Sequence, residues 1–387
     1  MKDSMRLRKG EVYMDQPIRV VHVLGSLYRG GAETMIMNLY RKVDRSKVQF
    51  DFIIHDKEYC DYKEEVLNLG GKIYYAPRYR GYNHLEYKAW WNEFFSEHHE
   101  YKIIHGHVRS TASIYLKIAN KYGLKTICHS HSTSSRGNCI EKLVKDTMQF
   151  PIKNIANYLF ACSNNAGEWL YGKKSIEKKN YRVIKNAIDI EKYKFDEVKR
   201  RNIRNELQIN QDKFVIGHVG SFTEPKNHKF LLDLFFEIQK INENALLLLI
   251  GGGVLEEKIK NYAKELMIED KVIFKGQVYN VHDYMQAMDV FLFPSLWEGL
   301  PVTVVEAQAS GLYCIISDTI TNEVCITPNI KSLSLKNDSL EKWTEVVNSK
   351  SIGKRYDNDS YIKDSGYDIH ESVKELSNFY QKLVKKQ

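Results

Sequence analysis

Glu298 and Glu306 lie in the stretch PSLWEGLPVTVVEAQASG, residues 294–311, with seven residues between them in otherwise apolar company. Carboxylates are seldom left there unless something pairs with them. The DVFLF segment ahead of them reads as a buried strand that Pro294-Ser295 breaks. Pro301 suits the first turn of a following helix, where its missing N–H costs nothing. Glu298 then falls in the loop, and Glu306 about one and a half turns into the helix. Gly299 lets backbone approach a ligand closely. The unpaired N–H groups of a helix start make an anion site, and parallel sheets bind ligands at the carboxyl ends of their strands. This pattern suits a phosphate over the helix start, one carboxylate on a sugar and one on a ribose diol, whose two hydroxyls a carboxylate can accept. The plainer alternative is a Glu306 that complements the helix dipole and a Glu298 that faces solvent.

Other residues could share this chemistry. Gly30 and Gly31, in RGGAE, follow a β-branched run and precede a helical pattern. They suit either a tight turn or the approach of a diphosphate or sugar to bare backbone. Lys226, in GSFTEPKNHK, is a point charge fit for a leaving group that gains negative charge, or an exposed lysine ahead of a helix. His105, His107, His129 and His131 form two H-x-H pairs at strand ends. Imidazole suits zinc, but no matching Asp, Glu or Cys set accompanies them. The literal Asp-x-Asp, Asp357-Asn358-Asp359, reads as a solvated loop. No metal and no cofactor is expected.

The elements that must hold these residues alternate. IRVVHVL, QFDFIIH, KIYYA, KIIHGH, KTICHSH and YLFACS read as strands with helical patterns between them. The pattern pauses near 185–195 and a polar helix (196–207) follows. KFVIGHVGSF, ALLLLIGGG, KVIFKG, DVFLFPS and YCIISD then form a second series. Such β-α-β alternation implies α/β domains with parallel sheets and helices on both faces. The expected division is a basic arm at 1–16, a first domain at 17–190, a second at 191–365 and a C-terminal helix at 366–387. That helix carries Val373, Leu376, Tyr380 and Leu383 on one face, a stripe that must dock onto a domain. Residues 348–368, rich in Asn, Asp, Ser and Lys, read as loose.

The 387-residue chain, 43% hydrophobic and 27% charged, suits a soluble globular protein of two domains. No apolar run approaches the ~20 residues of a membrane span. The basic N-terminus lacks the apolar stretch of a secretory signal, and Met14 is an alternative start. Six scattered cysteines without C-x-x-C fit a reducing cytosol. The net charge of +8 is compatible with a solvated surface, anionic substrates, an anionic membrane or nucleic acid. No basic helix or aromatic-basic strand pattern supports the last. The segment 138–158 mixes Lys142, Lys145 and Lys153 with Ile140, Leu143, Met148 and Phe150. It suits an ordinary helix of the first domain or a helix resting on an anionic membrane.

FPSLWEGLPVTVVEAQASG resembles the Glu-seven-residues-Glu motif of retaining glycosyltransferases of family 4 (glycosyl transferases group 1). HVLGSLYRGGAE, VIKNAIDIEKY and LLLLIGGGV are similar to its first glycine loop, hinge segment and second-domain glycine turn, in family order. The likeness spans nearly the whole chain and is weak over the last 60 residues or so. It implies the GT-B fold, two Rossmann-like domains facing each other across a cleft, with the C-terminal helix packing back. It implies that Glu298 contacts the donor sugar, Glu306 the ribose, and Gly299, Leu300 and Pro301 the donor phosphate. Gly30 and Gly31 become donor or acceptor contacts, Lys226 a diphosphate ligand, and His131 a group near the reacting sugar with His129 and His107 behind it. Ser221 stands where the family carries an arginine, so the diphosphate either accepts one hydroxyl bond there or finds another cation.

The resemblance implies a cytoplasmic, metal-independent, retaining transferase, placed at the inner face of the plasma membrane if it is membrane-peripheral. It would move a hexose-type sugar from a nucleotide sugar, a UDP-sugar expected, to a glycan or lipid-linked acceptor in exopolysaccharide or capsule synthesis. The alternative is a non-catalytic sugar-nucleotide-binding subunit of a transferase complex.

Overall fold

The computed structural model describes residues 16–385, apart from 29, 59, 134–138, 337–338 and 350–351, and only the backbone at 139–140. The basic arm expected at 1–16, but for Gln16, and the alternative start at Met14 lie outside these residues.

Thirteen described strands form two sheets. The first holds β1 (Ile18–Leu24), β2 (Val48–Ile54), β3 (Ile73–Tyr75), β4 (Ile103–Gly106), β5 (Lys125–Ser130), β6 (Tyr158–Ala161) and β7 (Tyr181–Val183), in the order β3-β2-β1-β4-β5-β6-β7. The second holds β8 (Phe214–Val219), β9 (Ala245–Ile250), β10 (Val272–Gly276), β11 (Val290–Phe293), β12 (Tyr313–Ser317) and β13 (Ile330–Leu333), in the order β10-β9-β8-β11-β12-β13. The β-branched and leucine-rich runs form these strands because helices cover both faces, so inward and outward side chains are alike apolar. β2 is buried along its whole length. The strand order reverses beside β1 and again beside β8, and such switch points open a crevice at the strand ends.

Contacts divide the chain into two compact units. One comprises residues up to 128, 151–158 and 373–387, the other 129–150 and 159–372. In the first unit Asp51 is buried on β2. It accepts from Arg19 at 2.5 and 2.6 Å, from Tyr101 Oη at 2.8 Å and from Lys72 N at 2.7 Å. The C-terminal helix, Ile369–Lys385, buries Val373, Leu376, Tyr380 and Leu383 as its stripe requires. Val373, Leu376 and Tyr380 face Leu39, Val43 and Phe50. Each such aliphatic side chain contributes roughly 1.5–3 kcal/mol on full burial, so the helix packs back onto the first unit.

In the second unit the polar helix forms at Glu197–Glu206, capped by Asp196, which accepts from Val198 N and Lys199 N. Its polarity hides a structural task. Arg204 is fully buried and donates to Asp289 at 2.8 Å, while Arg200 donates to the other Asp289 oxygen at 2.6 Å. Residues 348–368 are not loose where they are described. Arg355 donates to the carbonyls of Ser310, Met285, Gln286 and Met288 at 2.6–2.9 Å. Asn358 is buried and donates to Gln308 O at 2.8 Å, and a helix follows at Asp359–Asp364. The polar composition serves helix C-termini, whose last carbonyls lack partners of their own. Asp357-Asn358-Asp359 is therefore not a solvated loop throughout: Asn358 is buried, and Asp359 pairs with Lys194 at 2.8 Å.

Candidate active site

The second sheet brings its predicted residues together at the switch point. β8 and β11 are neighbours, so the loops after them lie side by side. Lys226 ends a 3₁₀ turn (Glu224–Lys226) after β8, and Glu298 stands in the loop after β11. Their side chains form an ion pair at 2.6 Å, both mostly buried. The Lys226 ammonium also lies 4.6 Å from the centre of the Phe293 ring, a cation–π contact that fixes it further. The predicted glycine turn after β9 abuts this loop. Gly251 has φ +144°, and a Cβ there would strike Gly220 O, so only glycine fits. Phe222 N donates to Gly252 O at 3.1 Å and Leu255 N to Phe222 O at 3.0 Å.

Pro301 stands at the N-cap of the helix Val302–Ala309, one residue ahead of its expected place in the first turn, and Glu306 is the fifth helical residue. Glu306 is half-buried and accepts from the Tyr193 hydroxyl at 2.6 Å. Burial raises the Glu306 pKa above the ordinary carboxylate value, and the Tyr193 hydrogen bond offsets part of that rise. Burial, with the neighbouring Glu306 charge, also holds the Tyr193 hydroxyl protonated. Leu300 packs its side chain among Ile188, Ile190, Val305 and Tyr367, which anchors the loop. A Cβ at Gly299 would meet nothing within 4 Å, and its φ is not left-handed, so no neighbour or backbone angle demands glycine there.

Glu298 and Gly299 border a cavity of about 540 Å³, with Thr133, Glu168, Trp169 and Thr321 among its other walls. That volume falls in the range of small-molecule pockets. Ser221 is exposed, its hydroxyl 3.2 Å from that of Thr223. His131 follows β5, its ring stacked on His129 at 4.1 Å; Thr133, two positions on, reaches the cavity.

Gly30 and Gly31 belong to the first unit, where Gly30 caps the helix Gly31–Lys42. A Cβ at Gly31 would meet nothing within 4 Å, whereas one at Gly30 would strike Glu33. In the same unit His22, His105 and His107 place one nitrogen each within 4.8 Å of one another. Their rings stack at 4.5–5.4 Å with interplanar angles of 13–29°. His22 Nδ1 is hydrogen-bonded to His107 Nε2 at 3.1 Å, and His105 Nδ1 to the Tyr380 hydroxyl at 2.6 Å.

Sequence reasoning missed Tyr193 and the Lys226–Glu298 pair. Tyr193 closes the hinge segment that the family resemblance marks, but nothing local signals that its hydroxyl reaches a residue 113 positions away.

Two parallel-sheet α/β units of seven and six strands are the architecture of the GT-B fold. Residues 199–354 match the family described as Glycosyl transferases group 1, and residues 29–192 match Glycosyltransferase Family 4. The chain belongs to this glycosyltransferase family. It is 36% identical over 94% of its length to the putative glycosyltransferase EpsF of Bacillus subtilis (strain 168), 96% of which is covered. It is 23% identical to the capsular polysaccharide biosynthesis glycosyltransferase CapH of Staphylococcus aureus, over 94% of this chain and 98% of CapH. Among solved structures, Anabaena HepE in complex with UDP and glucose superposes with a TM-score of 0.71 at 14% identity, covering 95% of this chain and 99% of that one. WaaG, a glycosyltransferase involved in lipopolysaccharide biosynthesis, gives 0.65 at 15% identity, covering 93% and 95%. Both share the fold.

Proposed function

We propose that the protein is a retaining, metal-independent hexosyltransferase that takes a UDP-sugar as donor and a glycan or lipid-linked acceptor, in surface polysaccharide synthesis. The observation that carries this reading is the Lys226–Glu298 pair beside the helix start at Val302, with Glu306 behind it on the same helix. Lys226 and the helix start stabilise the departing diphosphate. Glu306 accepts the ribose hydroxyls, and Tyr193 orients its carboxylate. Glu298 bridges Lys226 and the sugar in the adjoining cavity. Gly299, Leu300 and Pro301 offer backbone to the phosphate, Ser221 one hydroxyl. His131 serves the reacting sugar, and Gly30 and Gly31 its donor or acceptor side. No protein nucleophile is assigned.

The relatives support the substrate class. An Escherichia coli relative, 22% identical over 74% of this chain, is named UDP-Gal:alpha-D-GlcNAc-diphosphoundecaprenol alpha-1,3-galactosyltransferase. Among the described residues no helix is long and apolar enough to cross a membrane. We place the enzyme in the cytoplasm, resting on the inner membrane face through the helix Cys139–Gln149. Leu143, next to Lys142 in that helix, and Phe150, just beyond its end, are 69% and 68% exposed. Co-sedimentation with anionic but not zwitterionic vesicles, lost in a Leu143→Ser/Phe150→Ser variant, is the expected result.

The function is tested by thermal unfolding of the wild type and Lys226→Ala against UDP, GDP, ADP and NAD. A ligand at a hundred times its dissociation constant adds ~2.7 kcal/mol, several degrees at roughly 2–4 °C per kcal/mol. UDP is expected to shift the wild type and to lose at least about tenfold in affinity, some 1.4 kcal/mol, in the variant. No shift with any nucleotide overturns the reading. The exposed Ser221 favours one second reading, a binding subunit without activity. It would bind UDP yet turn over no UDP-sugar.

A further inference from the structure

Asn227 has φ 54° and ψ 45°, the left-handed conformation, between the 3₁₀ turn that carries Lys226 and the helix His228–Gln239. Asparagine tolerates that region better than most residues, but glycine tolerates it best. A second property of the side chain explains its presence. Asn227 Nδ2 donates to Pro294 O at 3.2 Å, the first carbonyl past the end of β11, where the Glu298 loop begins. The next contact along is a backbone one, Leu296 N to Pro225 O at 2.7 Å. The third is the Lys226–Glu298 pair. On the far side, Ser295 O accepts from the hydroxyls of Ser317 and Thr319, the latter at 2.7 Å. The Glu298 loop is thus gripped at successive carbonyls, and its grip toward Lys226 begins at Asn227.

We infer that Asn227 is a positioning residue: its carboxamide clasps the 221–227 loop to the 294–301 loop and so holds Lys226 in register with Glu298. The consequence for donor binding rests on the glycosyltransferase reading; the clasp does not. Two variants separate the side chain's bond from its backbone role. Asn227→Gly keeps the left-handed backbone and removes the donor. Asn227→Asp keeps the shape but offers Pro294 O a second acceptor.

Hydrogen exchange of the ligand-free full chain reads the clasp directly. The Leu296 amide is expected to exchange at least about tenfold faster in both variants, with the strands of the second sheet unchanged. Wild-type exchange at Leu296 in the glycine variant overturns the proposal. UDP affinity then reads the coupling. Asn227→Gly is expected to weaken UDP about tenfold in the wild-type background and less than about twofold in a Lys226→Ala background, because both act on one diphosphate contact. An equal loss in both backgrounds means that Asn227 does not act through Lys226, and overturns the proposal. Faster Leu296 exchange in a protein that binds no nucleoside diphosphate supports the clasp while defeating the transferase reading.

Discussion

Asp289 and Glu306 are two carboxylates withdrawn from water in the same unit, and they are served very differently. Asp289 accepts from Arg200 at 2.6 Å, Arg204 at 2.8 Å and Val215 N at 2.7 Å, filling both oxygens with charged or backbone donors. Among the described residues Glu306 accepts from one neutral hydroxyl, that of Tyr193. A buried carboxylate needs several good donors to offset its desolvation. Asp289 has them and serves as a joint between the helix Glu197–Glu206 and the sheet. Glu306 has spare acceptor capacity and a pKa raised by burial, as suits a group whose partners arrive with a ligand. Within one unit, saturation marks the structural carboxylate, and shortage is what the proposed ribose contact asks of Glu306.

The largest effect is expected where saturation is broken. Asp289→Ala leaves the buried Arg204 and the mostly buried Arg200 without their counter-charge. Burial already lowers the pKa of Arg204, and Asp289 works against that lowering. Losing one partner of such a cluster costs about 3–5 kcal/mol, or roughly 6–20 °C in Tm at 2–4 °C per kcal/mol. A calorimetric Tm within about 2 °C of wild type would show that the cluster is not a joint at all.

Glu306→Gln should do the reverse: cost function and spare the fold. Because burial raises the native pKa of Glu306, the folded chain binds its proton more tightly than the unfolded one. Stability therefore falls as pH rises from the ordinary carboxylate value through the raised one, and the penalty persists above it. The glutamine variant lacks that penalty. Its Tm should match or exceed wild type at pH 8, and the margin should close as pH falls through the carboxylate range. UDP affinity should drop at least about tenfold. Thermal scans at several pH values decide it; a variant less stable than wild type at pH 8 would place Glu306 among the structural carboxylates.

How much of this was legible depends on how far each residue's partner lies along the chain. The strands at 18–24 and 214–219 could be read because burial on both faces writes continuous apolar runs. Residues 294–311 could be read because strand end, loop glycine, helix-starting proline and both glutamates are contiguous. Arg204 could not: it sits in a mainly polar helix, and contacts with Asp289, 85 positions on, and with Ala287 O take it out of water. Residues 348–368 misled for the same reason, since Arg355 and Asn358 look solvated by type and spend their donors on buried carbonyls. Asn227 lies within GSFTEPKNHK, but its left-handed backbone and its reach to Pro294 appear only in three dimensions.

Tyr193→Phe probes the comparison most finely, because it takes from Glu306 the one donor it has among the described residues. The ring contact with His282, centroids 5.8 Å apart, survives the change, so the fold should lose about 1 kcal/mol for one hydrogen bond. The functional effect depends on pH. The Tyr193 bond lowers the Glu306 pKa against the larger effect of burial, so its removal lets that pKa climb further. If the ribose hydroxyls require the ionised carboxylate, UDP binding should weaken on the acid side first, and the acid limb of a Kd-against-pH profile should move to higher pH. At alkaline pH, where the carboxylate is ionised in both proteins, the ribose hydroxyls supply the missing donors and the two affinities should converge. A profile displaced equally at every pH would mean that Tyr193 shapes the pocket rather than the charge on Glu306.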